Sequence, residues 1–205
     1  MLEIVLGAAG ILFNFVFFLA IVSAMYTLFT GNPLFMYPSQ KRVVEFCKEF
    51  AEEHGLKHMK HIFMEGPYKG YGLWIKYVPP GVQKTYSLLF ADLKCNKPLK
   101  GSLVIYSHSY FLYIGKSKVI VLGDQEFDRV FCVRINNLTL SEVNTILTPD
   151  VKRAMLALTG INRFAIYARK KSIYFQTRGF DNDKNYLNDT IEMMFNMLKN
   201  YREIR

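Results

Sequence analysis

Four histidines, at positions 54, 58, 61 and 108, are the first side chains to test for chemistry. His54, His58 and His61 are spaced by four and three residues. On one helix that spacing would stack them as metal ligands. Gly55 falls between the first two, where a helix should stop, and no HExxH pattern is present. The three therefore read as solvated loop and strand-edge side chains. His108 sits between Ser107 and Ser109 in "YSHSY". A nucleophile needs a base that a third group orients, and no nucleophile elbow presents either serine. No catalytic residue is assigned.

Asp124, Glu126 and Asp128 alternate in "GDQEFDR". On an extended strand they would share one face and could hold a cation; the simpler reading is the solvated start of a strand. "GPYKGYG" carries glycines but is not a phosphate-binding loop, because it lacks GxxxxGK[ST] and does not open a helix. The three cysteines, Cys47, Cys95 and Cys132, show no CxxC spacing and are odd in number. Neither a disulfide framework nor a zinc cluster follows, and three scattered thiols suit a reducing compartment. Neither a metal nor a cofactor is expected.

Charge and aromatic content say more about partners. The net charge is +9, and all 26 Lys and Arg lie after residue 30 with 16 of the 17 acids, so that part carries 26 − 16 = +10. Such an excess draws polyanions. Basic and aromatic residues interleave in "YKGYGLWIKY" and "ARKKSIYF". That pattern could stack nucleobases, and it is also that of a one-sided sheet lying near lipid. No RNP-like motif or recognition helix accompanies it, so nucleic acid is the less favoured partner.

The elements that must position these residues begin with an uncharged run from Ile4 to Phe29. Twenty apolar residues suffice to cross a hydrocarbon core of roughly 30 Å, so a transmembrane anchor is predicted over residues 1–30. Val22-Ser23-Ala24 resembles a small-residue processing site, but the run is longer than a signal-peptide core and lacks a basic lead. No Lys or Arg precedes the run, while Lys41, Arg42 and Lys48 follow it. The positive-inside rule then puts the large domain in the cytoplasm as a single-pass membrane protein. Gly7, Gly10 and Asn14 form a stripe for association with another membrane helix.

A linker over residues 31–38 leads to a soluble domain over 39–205. Ser39 caps an amphipathic helix with Val43, Val44, Phe46, Cys47 and Phe50 on its apolar face, and Gly55 stops it. Strands are predicted in "HIFMEG", "GLWIKYV", "KTYSLLFADL", "SLVIYSHSYFLYIG", "KVIVLG" and "RVFCVRI". Thr148-Pro149-Asp150 opens a helix that Gly160 ends. "RFAIYARKKSIYFQT" is a hairpin with Arg169, Lys170 and Lys171 at its tip, and Leu187, Ile191, Met194 and Leu198 recur as a terminal helix. The expected fold is α+β: an N-terminal transmembrane helix, then a mostly antiparallel sheet with helices packed on it.

Glu126, Phe127, Phe131 and Val133, followed by Leu147-Thr148-Pro149 and "FAIYARKKSIYF", resemble an uncharacterised family of prokaryotic membrane-anchored proteins. The likeness runs over about 60 to 80 residues. It implies the same fold and a membrane setting, and it carries no activity. The function expected from all this is a non-catalytic scaffold or accessory subunit of a larger membrane protein complex. Its partners would be membrane proteins met through the anchor, or an anionic lipid surface met through Lys41, Arg42, Arg169, Lys170 and Lys171. The alternatives are a tethered enzyme or ligand-binding domain, and a tethered nucleic-acid binder.

Overall fold

The structure is a computed structural model, and it describes residues 13–23, 25, 38–59, 62–80, 86–108 and 118–204. The first described element, α1, is helical over residues 13–23. Among the described residues no helix is long and apolar enough to cross a membrane. This overturns the predicted transmembrane helix. Hydropathy counts uncharged residues, whereas a span needs one helix of about twenty. Gly7 and Gly10 lie outside the described residues, and Asn14 is exposed on α1.

The remaining elements are α2 (Pro38–Glu53), β1 (Lys57–Met59), β2 (Phe63–Tyr68), β3 (Tyr71–Val78), β4 (Leu88–Lys94), β5 (Ser102–Ser107) and β6 (Lys118–Ile120). Then come α3 (Gln125–Val130), β7 (Phe131–Asn136), α4 (Leu140–Ile146), α5 (Pro149–Thr159), β8 (Phe164–Arg169), β9 (Ser172–Arg178) and α6 (Lys184–Tyr201). All the strands join one nine-stranded sheet in the order β1-β2-β3-β4-β9-β8-β5-β7-β6. Every pairing is antiparallel. The α+β class and the antiparallel sheet are thus those of the fold.

Burial alternates along the inner strands. Leu73, Ile75 and Tyr77 of β3 are buried, as are Leu89, Ala91 and Leu93 of β4, Ile173, Phe175 and Thr177 of β9, Phe164, Ile166 and Ala168 of β8, and Phe131, Val133 and Ile135 of β7. Period-two side-chain placement puts each set on one face, and the registers align the sets with one another. Helices α2 to α6 all cover this face. Phe46 of α2 packs edge-on to Tyr77 at 6.0 Å, Tyr186 of α6 meets Phe175 at 6.5 Å, and Phe127 of α3 meets Phe131 at 4.6 Å. Leu187, Ile191, Met194 and Leu198 face the same core, as the helical spacing predicted.

Two short helices replace what the sequence reads as strand and loop. Asp124 caps α3, accepting from the Phe127 N–H at 3.2 Å. Thr139 and Glu142 form a capping box at the start of α4. Lys100 lies 2.5 Å from the Glu142 carboxylate, and Thr139 donates its N–H to it. These contacts, the Lys100 bond foremost, hold Glu142 down to about 2 from an ordinary 4.5. A carboxyl with a depressed folded value stabilises fully above its unfolded value and loses that stabilisation as pH falls toward the folded one. Glu142→Gln is therefore expected to unfold at lower urea than the wild type above pH 4.5, with the gap closing as pH approaches 2. Urea midpoints across that range check this, and a constant gap contradicts it.

Candidate functional site

The face of the sheet opposite the helices is built from the other phase of each strand. It carries Phe63 on β2, Trp74 and Lys76 on β3, Phe90, Asp92 and Lys94 on β4, and Tyr174 and Arg178 on β9. Tyr167 and Arg169 of β8, Tyr106 of β5 and Arg134 of β7 continue it. None of these aromatic residues belongs to the core or to the partly buried residues packed against it. None of the described helices α2 to α6 packs on this face.

The register sets a transverse row. Glu65 pairs with Trp74, Trp74 with Asp92, Asp92 with Tyr174, Tyr174 with Tyr167, Tyr167 with Val104 and Val104 with Arg134. Rings pair across strands: Phe63 with Trp74 at 5.7 Å, Phe90 with Tyr174 at 6.1 Å, and Tyr167 with Tyr174 at 5.9 Å. The Lys76 ammonium sits 5.1 Å from the Phe63 ring centre, close enough for a cation–π contact. Such pairs stiffen the rings in place, so a partner meets a preset surface.

Charge on this face is mostly positive. Lys57, Lys76, Lys94, Arg134, Arg169 and Arg178 stand against Glu65 and Asp92, a balance of 6 − 2 = +4. That is nearly half the chain's +9. The Arg134 Nε donates to the Tyr106 hydroxyl at 3.2 Å. Burial, and then a bond with Cys132, push the Tyr106 phenol above its ordinary value; burial does the same to Tyr167. Both phenols stay protonated and uncharged near neutral pH.

Toward β1 the face opens into a groove of about 780 Å³ with Lys57, Glu65, Trp74 and Lys94 on its walls and Gly66 and Gly72 in its floor. A Cβ at Gly66 would stand 3.1 Å from Leu56 Cδ2 and 3.2 Å from its Cα, a tight fit that Leu56 would have to relieve by a small shift. The groove has the size of a small-molecule site, but it is a trough on the sheet surface rather than an enclosed pocket.

Two of the acids that the sequence offered for a cation, Asp124 and Asp128, hold backbone instead. Asp128 accepts the backbone N–H groups of Leu122, Gly123 and Asp124 at 3.1, 2.9 and 3.1 Å. Asp124 caps α3 and pairs with Lys152 at 3.3 Å. The expected strand of alternating acids is therefore a capped helix in which Asp124 and Asp128 hold backbone. Among the described residues no group of three or more His, Cys, Asp or Glu could hold a metal. His54 stacks on Phe50 at 4.1 Å, and its Nδ1 lies 2.9 Å from the Phe50 carbonyl. His61 lies outside the described residues. His108 is exposed, with Nε2 3.1 Å from the Asp128 carbonyl oxygen.

The predicted basic contacts are split. Lys41 and Arg42 are exposed on α2, on the helical side. Arg169 belongs to the open face, and Lys170 and Lys171 form the exposed tip of the β8–β9 hairpin. The structure thus assembles Arg169 with Lys76, Lys94 and Trp74, which the sequence reading never joined. The signal was present in "GLWIKYV", "LLFADLK" and "SIYFQTR", where both phases of each strand carry large side chains.

Fold and face together define an open-faced antiparallel α+β protein, with its helices on one side and an aromatic, cationic sheet surface on the other. No protein-family model matches the chain, and no curated protein matches it. Among solved structures, the mycobacterial trehalose monomycolate transport factor A, TtfA, is similar, with a TM-score of 0.56 and 8 % identity over 78 % of this chain and 94 % of that one. At this identity the likeness shows a shared fold alone.

Proposed function

We propose that the chain is a non-catalytic accessory subunit of a larger protein assembly and that it docks a protein partner through the open face of its sheet. One observation carries this reading: the sheet is packed on one side and leaves Phe63, Trp74, Phe90, Tyr167 and Tyr174 half-buried on the other. Aromatic and arginine side chains of this kind anchor protein interfaces. TtfA, which shares the fold, is a transport factor, and a transport-related setting is part of this proposal. Helix α1 adds a second contact, since Phe13, Phe15, Phe17 and Phe18 are each more than half exposed and an apolar surface of that size calls for a cover.

Affinity purification of the full chain from its own cells in mild detergent tests the reading. One protein is expected to co-purify in stoichiometric amount, and Trp74→Ala to lower its recovery at least tenfold, as removal of an interface anchor does. A chain that runs alone as a monomer, or a Trp74→Ala variant that keeps its partner, contradicts the proposal.

A further inference from the structure

The open face has one feature that a polyanion does not match. Asp92 lies between Trp74 and Tyr174 in the transverse row, with Phe90 and Lys94 two residues away on its own strand. Its Oδ1 is shut off from water and has no hydrogen-bond partner among the described residues, while the residue as a whole is half-buried and reaches the surface. A carboxylate in that state is short of donors on one side. A cation or N–H placed on its accessible edge gains more than it would beside an ordinary surface acid. A phosphate or a lipid headgroup in the same place meets repulsion.

The surroundings define the rest of the occupant. Trp74 and Tyr174 flank Asp92 in the register, and aromatic rings beside a carboxylate suit a guanidinium. Lys76, Lys94 and Arg169 stand around this centre on β3, β4 and β8, and none of the three forms an ion pair among the described residues. Resting on the docking reading above, we infer that the partner is a protein segment that sets an arginine or lysine over Asp92, between Trp74 and Tyr174, and flanks it with carboxylates that meet Lys76, Lys94 and Arg169. The pattern is a basic centre inside an acidic ring, the complement of this face. Nucleic acid and anionic lipid satisfy the outer cations but not the centre.

A phage library of random twelve-residue peptides, panned on the full chain, tests this directly. The selected peptides are expected to share a central Arg or Lys with Asp or Glu on both sides. Asp92→Asn should weaken their binding at least tenfold, and so should Gln in place of the peptide's central base. The two changes together should cost little more than either alone, as coupled partners do. Thermal midpoints of Asp92→Asn and Trp74→Ala confirm that both variants are folded. If peptides bind in a Trp74-dependent way but lack the central base, or ignore Asp92→Asn, the inference fails and the docking face stands. If a thirty-residue oligo-dT or phosphatidylserine vesicles bind instead, and Asp92→Asn strengthens them, the partner is a polyanion and the inference also fails. If no probe binds in a Trp74-dependent way, the docking reading falls with it.

Discussion

Phe175→Ala is expected to cost about 3–5 kcal/mol of unfolding free energy, the range for emptying a buried aromatic site. Phe175 is fully buried at the centre of the sheet. It pairs with Ala91 on one side and Ile166 on the other. Its ring lies 5.1 Å from Phe164 and 6.5 Å from Tyr186. The small Ala91 leaves room for the ring, so no large neighbour on β4 can move in to refill the space. Domains of this size have about 5–15 kcal/mol in total, and a loss on this scale brings the protein close to unfolding. The neighbouring change, Tyr174→Ala, points to the open face and should cost only about 1 kcal/mol or less, the worth of its cross-strand ring pairs. Urea unfolding of both variants measures the contrast. Equal losses would mean that both faces are packed by the fold itself, and the docking proposal would then lose its ground.

That contrast rests on alternation, and alternation is also what the sequence displayed best. Strands β3, β7 and β9 lie in aromatic and branched runs that end at Pro79, Asn137 and Gly179, and a half-buried strand must repeat every two residues. Helices α2, α5 and α6 follow from 3.6-residue spacing and from Pro149 at a helix start. What escaped is short or non-local. α3 and α4 have only six and seven residues, too few for a periodic signal, and only their caps announce them. Thr139 and Glu142 stand in the sequence at the spacing of a capping box.

The site escaped for a different reason. Trp74, Asp92, Tyr174, Tyr167 and Arg134 come from five strands, and the order β3-β4-β9-β8-β5-β7 that brings them into one row cannot be read from local pattern. The anchor expectation differs in the opposite direction, because an uncharged run is a local signal and a membrane span is one long continuous helix. Residues 4–29 are uncharged, but among the described residues no helix is long and apolar enough to cross a membrane.

Gly101→Ala is expected to lower stability by at least about 3 kcal/mol, for two reasons that add. The residue sits at φ +63°, a left-handed conformation that costs an L-residue roughly 1–2 kcal/mol. A methyl there would also lie 2.5 Å from the Asn136 carbonyl oxygen and 2.6 Å from that of Asn137. Both obstacles are backbone, and neither is at a free end. Asn136 is paired to Ser102 in the β5–β7 ladder. Asn137 is itself at φ +55°. Making room would therefore push the end of β7 away from β5 and disturb the lead into α4, where Thr139 and Glu142 make their box. Gly55 is the control. Its φ is +64°, nearly the same, yet nothing lies within 4 Å of its Cβ position. Gly55→Ala should cost only the left-handed term, about 1–2 kcal/mol. Thermal and urea unfolding of the pair separates conformational strain from steric clash. Similar losses at the two positions would mean that β7 and β5 can part at this corner without penalty, and that the end of the transverse row at Arg134 is less firmly held than the ladder implies.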